Sequence, residues 1–248
     1  MSTDWIAADW PAPASIVAGT TTRRAGASTG AFASMNIAAH VGDDPAHVAD
    51  NRRRFITMCD LPGEPLWMNQ VHGTRIIAAG ELSLQHDIPE ADAIVSGRCN
   101  DVCAIMTADC LPILLCATDG TEVAAVHGGW HGLAGGIIEA TVAAMSIPAE
   151  NLIAWFGPAI SQPAFEVGSE VRDAFVGQDD AAAGYFVANK RMRWQADLYG
   201  LARQRLTTLG VTGVYGGAFC TYGDDERFFS YRRDGHCGRM ASFIFRRP

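Results

Sequence analysis

The chain has 248 residues, 48% of them hydrophobic and 19% charged, so it can bury a sizeable core and lies far from the composition of a disordered segment. Its formal net charge of −8 argues against a general nucleic-acid binder, which carries a basic face. Met1 to Pro13 holds acids and two tryptophans rather than a basic stretch followed by an apolar one, and no run of about 18 apolar residues occurs, so a cytoplasmic protein without a membrane span is expected.

No repeat, low-complexity tract or linker stands out, and one domain over 1–248 is expected. Ser15 to Thr21 reads as a strand leading into the polar loop Thr22-Arg23-Arg24-Ala25-Gly26. Asp44-Pro45 reads as a helix start, with Asp44 as cap and Pro45 in the first position, and that helix runs to about Cys59. Arg52-Arg53-Arg54 forms a solvated face of it. Leu66 to Gln70 is a short strand that delivers His72 to a turn at Gly73. Val102 to Thr107, Leu111 to Ala117 and Val123 to Val126 are short apolar runs, each bounded by polar or turn residues, and read as buried strands. Leu133 to Met145 has helical periodicity, with Leu133, Ile137, Thr141 and Ala144 on one face. Leu152 to Phe156 is a strand ended by Gly157-Pro158. Ala196 to Leu209 is a helix with Gly210 at its C-terminal cap. Phe228 to Arg232 and Arg239 to Phe245 read as two strands of a hairpin around Asp234-Gly235. Strands and helices mix without strict alternation, which suggests an α/β sandwich with mixed sheets.

Three short apolar segments end in a reactive side chain beside small residues: Gln70-Val71-His72-Gly73, Ala108-Asp109-Cys110-Leu111-Pro112 and Val126-His127-Gly128-Gly129-Trp130. A rigid sheet fixes groups at its strand ends and leaves room beyond them for a ligand. Two imidazoles and a thiolate suit Zn²⁺ or copper, and a three-ligand site leaves a coordination position open, which is the catalytic pattern. By spacing alone the same residues also read as two half-buried histidines and a small core cysteine. Either Asp109 or Asp92 is read as able to orient a metal-bound histidine, with an ordinary turn aspartate the favoured reading of Asp92. The seven cysteines are odd in number and lie in apolar segments, so no disulfide framework is expected; Cys59, Cys99, Cys103, Cys116 and Cys220 are read as core residues.

An ordered series of segments carries a resemblance. It includes Thr22-Arg23-Arg24-Ala25-Gly26, Met35-Asn36-Ile37, Val41-Gly42-Asp43-Asp44, Gln70-Val71-His72-Gly73 and Ala91-Asp92-Ala93. It continues through Ala108-Asp109-Cys110-Leu111-Pro112, His127-Gly128-Gly129-Trp130, Gly157-Pro158-Ala159, Cys220-Thr221-Tyr222 and Phe229-Ser230-Tyr231-Arg232-Arg233-Asp234-Gly235. Over nearly its whole length the chain resembles the bacterial family variously called YfiH, multicopper polyphenol oxidoreductase or laccase-like, and purine nucleoside phosphorylase. The resemblance implies a single α/β (α+β) domain, a four-layer αββα sandwich with mixed β-sheets similar to a CNF-type toxin deamidase. It implies a monomer or weak homodimer. It places the family's metal ligands on His72, Cys110 and His127, which also serve as catalytic residues, and Asn36, Arg232 and His131 are read as substrate-binding positions. His131 departs from the family, which usually carries Arg after Gly-Trp; a neutral or titrating ring replaces a fixed cation.

The activity implied is phosphate-dependent cleavage of adenosine, inosine, guanosine or methylthioadenosine at a zinc site, with adenosine deamination beside it. Zinc with an open position lowers the pKa of bound water, which suits attack at C6 of adenine. Three alternatives stand beside it. A laccase-like oxidase would use copper, although seven histidines in all are few for several coppers. A Cys–His hydrolase editing peptidoglycan precursors would use Cys110 as nucleophile and His127 as base. A zinc-stabilised binding module would need a closed four-ligand site.

Overall fold

The computed structural model describes residues 4–82 and 88–248. Strands β1 (Trp5–Ala7) and β2 (Ile16–Thr21) come first, then helix α1 (Pro45–Met58), strand β3 (Ile76–Ala78) and the turn-length helix α2 (Ala79–Leu82). The middle of the chain is strand-rich: β4 (Ala93–Ser96), β5 (Cys103–Thr107), β6 (Leu111–Ala117) and β7 (Val123–Gly128). Helices α3 (Trp130–Gly135) and α4 (Ile137–Ala144) lead to β8 (Leu152–Phe156) and β9 (Glu166–Val167). After α5 (Ser169–Val176) come β10 (Phe186–Ala188), β11 (Trp194–Ala196), α6 (Leu198–Thr208) and β12 (Gly213–Gly216), and the short helix α7 (Tyr231–Asp234) precedes β13 (Met240–Arg246).

These strands form a four-stranded antiparallel sheet in the order β1-β2-β13-β5 and a six-stranded mixed sheet in the order β12-β8-β6-β7-β4-β3. A small sheet, β10-β11-β9, lies apart from them in the pairing scheme. The period of two along each strand dictates the layering. Cys103 and Ile105 of β5 and Ile244 of β13 pack on Leu114, Cys116, Ala125 and Trp155 of the larger sheet, so the two sheets lie face to face. The alternate residues Ala104, Met106, Phe243 and Phe245 turn outward onto Phe55 of α1. On the far side, Leu111, Ile113, Leu115 and Val126 cover Ile138 and Val142 of α4, Phe175 of α5 and Leu206 of α6. The order helix, sheet, sheet, helix is the expected αββα sandwich. Strands buried on both faces explain the uninterrupted apolar runs.

α1 begins as its sequence dictates: the Asp44 side chain accepts the Ala46 N–H at 2.8 Å and Pro45 fills the first position. Four expectations are corrected. The run from Leu133 to Met145 is two helices, because Gly136 takes φ +96° and ends α3 before α4 begins. Leu66–Gln70 makes isolated bridges, Leu66 to Cys103 and Asn69 to Glu90, rather than a strand. The hairpin around Asp234-Gly235 does not form: Tyr231–Asp234 is a helical turn capped by Ser230, and β13 pairs with β2 and β5 instead. Cys99 is exposed and Cys220 half-buried, whereas Cys59, Cys103 and Cys116 lie in the core. Among the described residues no helix is long and apolar enough to cross a membrane.

Candidate metal centre

His127 lies within β7, directly opposite Pro112 of β6, and Gly128 pairs with Leu111. Cys110, the residue before β6, is therefore brought to the same end of the sheet as His127. His72 arrives from a loop, and two devices hold that loop. The Gln70 side chain mimics a strand residue: its amide donates to the Met106 carbonyl at 2.9 Å and accepts the Met106 N–H at 2.7 Å. The fully buried carboxylate of Asp92 then accepts the backbone N–H groups of Val71 (3.3 Å), His72 (2.9 Å) and Gly73 (2.7 Å). These bonds hold His72 at φ +60°, a left-handed conformation that costs a non-glycine residue of order 1–3 kcal/mol unless its surroundings impose it.

Asp92 also accepts the His127 Nδ1–H at 2.8 Å. That bond sets the tautomer, leaving Nε2 of His127 as the free ligand atom. One atom each from His72, Cys110 and His127 lie within 4.8 Å of one another. Cys110 Sγ is 3.9 Å from His72 Nε2, and the two imidazoles meet edge to face with centroids 4.7 Å apart. Tetrahedral zinc with ordinary Zn–N and Zn–S bonds separates such atoms by about 3.6 Å, so the donors would take one ion after their separations close by up to about 1.2 Å. The backbone fits too: a Cβ on Gly129 would stand 3.0 Å from the His72 ring, 3.4 Å from Cys110 Sγ and 3.5 Å from the His127 ring. Glycine there leaves the His72 ring room.

The electrostatics point the same way. Burial opposes ionisation of Cys110, but His127 and His72 outweigh it and bring the thiol down to about 6. Burial disfavours a charged His127, but Cys110 and Asp92 outweigh it and raise the imidazole to about 9. Burial likewise opposes charge on Asp92, yet the donors from His127, Gly73 and His72 hold it below the usual carboxylate range. The result is a thiolate–imidazolium pair backed by a carboxylate.

The three residues sit in a cavity of about 560 Å³, within the range of small-molecule sites. Trp130, Phe165, Ile160 and Leu198 supply apolar wall, and Arg232 and Arg239 supply cations. Of the expected substrate residues, Arg232 lines the cavity, with its guanidinium 5.2 Å from the Phe165 ring centroid and bonded to the Glu166 carbonyl. Asn36 does not line it: it is fully buried, and its amide is engaged by Ala38, Asp43 and the Arg239 N–H. His131 does not line it either; it is exposed and stacks on Trp130 with centroids 3.5 Å apart.

The two aspartates exchange roles relative to expectation. Asp92 orients a ligand histidine. Asp109 touches neither histidine; it accepts from Thr221 Oγ1 (2.6 Å), Ser230 Oγ (3.0 Å) and the Arg232 N–H (2.6 Å), pinning the segment that carries Tyr231 and Arg232. The Ala91-Asp92-Ala93 segment, flanked by small residues and opening β4, was the available signal for Asp92.

Comparison with known proteins follows this geometry. The family model described as multi-copper polyphenol oxidoreductase laccase matches residues 17–247. A protein named purine nucleoside phosphorylase YfiH from Escherichia coli is 47% identical over 241 residues, 97% of this chain and 98% of that protein. A Pseudomonas aeruginosa protein also named purine nucleoside phosphorylase is 48% identical over 242 residues, again 97% and 98%. The crystal structure of a Neisseria meningitidis protein superposes with a TM-score of 0.95 at 47% identity, covering 99% of this chain and 100% of that one. YlmD from Geobacillus stearothermophilus superposes with a TM-score of 0.85 at 32% identity, covering 95% and 93%.

Proposed function

Because the chain belongs to the multi-copper polyphenol oxidoreductase laccase family, whose relatives at this identity are named purine nucleoside phosphorylases, we propose that it is a metal-dependent purine nucleoside phosphorylase. The observation that carries the reading is the convergence of His72, Cys110 and His127 on one point of a cavity with both aromatic and cationic walls. His72, Cys110 and His127 would hold the ion, which is zinc in this reading; divalent copper competes for such N and S donors. When bound, the ion would supply Lewis acidity suited to phosphorolysis and to adenosine deamination.

The chain's own residues do the rest. Asp92 keeps His127 in the ligand tautomer and His72 in place. Trp130 and Phe165 offer ring faces to a purine. Arg232 attracts the phosphate oxyanion, and the apolar wall excludes water that would compete with it. In phosphorolysis a phosphate oxygen forms a bond to ribose C1′ as the C1′–N9 bond breaks, and the base leaves with a proton at the ring nitrogen. Adenosine, inosine, guanosine and methylthioadenosine share the purine and ribose that this cavity would hold.

One observation favours a second reading. Cys110, His127 and Asp92 stand in the order nucleophile, base and orienting carboxylate, with the thiol already drawn down to about 6, which is the constellation of a cysteine hydrolase such as one acting on peptidoglycan precursors. A laccase with several coppers needs further ligand groups, and among the described residues one such group is gathered.

Metal content and nucleoside turnover measured on one preparation separate these readings, with wild type compared against Cys110→Ala and phosphate present or absent. About one zinc per chain and phosphate-dependent base release, both lost in the variant, are expected. Metal held without nucleoside turnover overturns the phosphorylase reading. A metal-free protein with Cys110-dependent hydrolysis supports the hydrolase.

A further inference from the structure

Arg239, which closes the Gly238-Arg239 segment of the resemblance, is a cavity residue to which the sequence assigns no role. It stands one residue before β13, on a backbone fixed from both sides: its N–H donates to Asn36 Oδ1 at 3.0 Å, and its carbonyl accepts the Ile37 N–H at 3.2 Å. Its guanidinium is fixed as well. Nη1 donates to the carbonyls of Cys237 (2.8 Å) and Gly238 (3.0 Å), and the group lies 5.8 Å from the Tyr231 ring centroid. Among the described residues no carboxylate forms an ion pair with it.

His40 lines the cavity beside Arg239; burial, then Arg239 and Arg52, hold its imidazole below the usual range. Asp109 is the one carboxylate among the described lining residues, and three donors already occupy it. In a chain of net charge −8, Arg232 and Arg239 thus set two guanidinium groups on the wall of one cavity. A guanidinium with one nitrogen tied to backbone carbonyls keeps its remaining N–H edge in the planar fork that matches two oxygens of a phosphate.

We propose that Arg239, with His40 beside it, is a phosphate-oxyanion subsite of this cavity, and that Asn36 is its positioning residue. The subsite takes a tetrahedral phosphate, either free inorganic phosphate or the phosphoryl group of a nucleotide. It deepens the phosphorylase reading, on which it rests only for the choice of free phosphate as the natural occupant. Asn36 thus serves the substrate through the Arg239 backbone, without touching it.

The test is direct binding, independent of turnover. Inorganic phosphate, and separately inosine 5′-monophosphate, are titrated into the metal-loaded wild type, Arg239→Gln and Arg239→Lys, followed by ³¹P line broadening, with melting curves to verify folding. Loss of one charge-assisted bidentate contact weakens binding by on the order of 10- to 100-fold in Arg239→Gln, and Arg239→Lys, which keeps charge but loses the fork, falls between. Free phosphate bound by wild type and lost in Arg239→Gln identifies the free anion as occupant. The same pattern for the nucleotide alone keeps the subsite and assigns the phosphoryl group to the substrate. Equal binding by wild type and a folded Arg239→Gln, or binding of neither anion by wild type, overturns the inference. Phosphate binding that needs Arg239 in a protein with no phosphorolysis keeps the subsite while the phosphorylase reading falls.

Discussion

Asp92→Asn is the most informative single change, because one buried carboxylate serves both ligand histidines. Oδ1 accepts from the His72 N–H (2.9 Å) and His127 Nδ1–H (2.8 Å), and Oδ2 from the N–H groups of Gly73 (2.7 Å) and Val71 (3.3 Å). An asparagine amide keeps one oxygen and turns the other acceptor into a donor. In either orientation two of the four donors then face an NH₂ group. At about 1.5–3 kcal/mol for each bond to a charged group, the loss is about 3–6 kcal/mol. For a chain of this size that lowers Tm by at least about 6 °C. If the NH₂ faces His127, the ring satisfies it by moving its proton to Nε2, which blocks the ligand atom. Zinc affinity, measured by competition with a chromophoric chelator, accordingly falls about 10- to 100-fold. An Asp92→Asn protein that melts within about 2 °C of wild type and binds zinc within about twofold would falsify the claim that this carboxylate organises the site.

Four further outcomes follow from the same geometry. In the metal-free protein, Cys110 has a depressed folded pKa near 6, so its alkylation by iodoacetamide, taken as wild type minus Cys110→Ser, rises with an inflection near 6; an inflection above 8 contradicts the thiolate pair. The linkage signs differ for the two partners. The thiol's stabilisation is complete above its ordinary value and is lost as pH falls through about 6, whereas His127, raised to about 9, contributes below 6.5 and loses it as pH rises through about 9. Metal binding must displace the His127 proton, so apparent zinc affinity climbs with pH between about 6 and about 9, and a flat profile speaks against His127 as ligand. Gly129→Ala leaves φ at an ordinary −67° but presses a Cβ to 3.0 Å from the His72 ring; it lowers zinc affinity with little change in Tm, whereas Gly128→Ala puts a Cβ 2.7 Å from the Leu111 carbonyl and destabilises the β6–β7 pair itself. Leu114→Ala, between the two sheets, costs about 2–5 kcal/mol in denaturant unfolding.

The strands of the sandwich were legible because burial on both faces leaves a continuous apolar run, as in Leu111–Ala117, and a short run bounded by turn residues reads as a strand. Local chemistry also revealed α1, through its Asp-Pro start. The hairpin was misread because Phe228 and Phe229 are aromatic for a different reason. They are buried side chains of a coil segment, packed with Met240, and Ser230 then starts a helical turn. The break inside Leu133–Met145 was present in Gly135-Gly136, but helical periodicity on either side concealed it. The candidate metal ligands drew attention as reactive residues at strand ends. Asp92 and Asn36 were misjudged because a buried polar group is defined by its partners. Those of Asp92 come from residues 71–73 and 127, and one of Asn36's comes from residue 239, which no local pattern connects. Arg239 was given no role for the same reason.

The place of β13 carries a consequence for biosynthesis. This strand, the last in sequence among those described, is inserted between β2 and β5, with Phe243 opposite both Gly19 and Ala104. Until it emerges from the ribosome, β2 and β5 have no common neighbour, and the apolar faces that later close the sandwich stay open to solvent. Such long-range pairing is slow and exposes the chain to aggregation. The nascent protein therefore acquires its four-stranded sheet only after the residues up to Arg246 have been made. Because Arg239 leads directly into that strand, the cavity's cationic wall is put in place only when β13 is docked between β2 and β5.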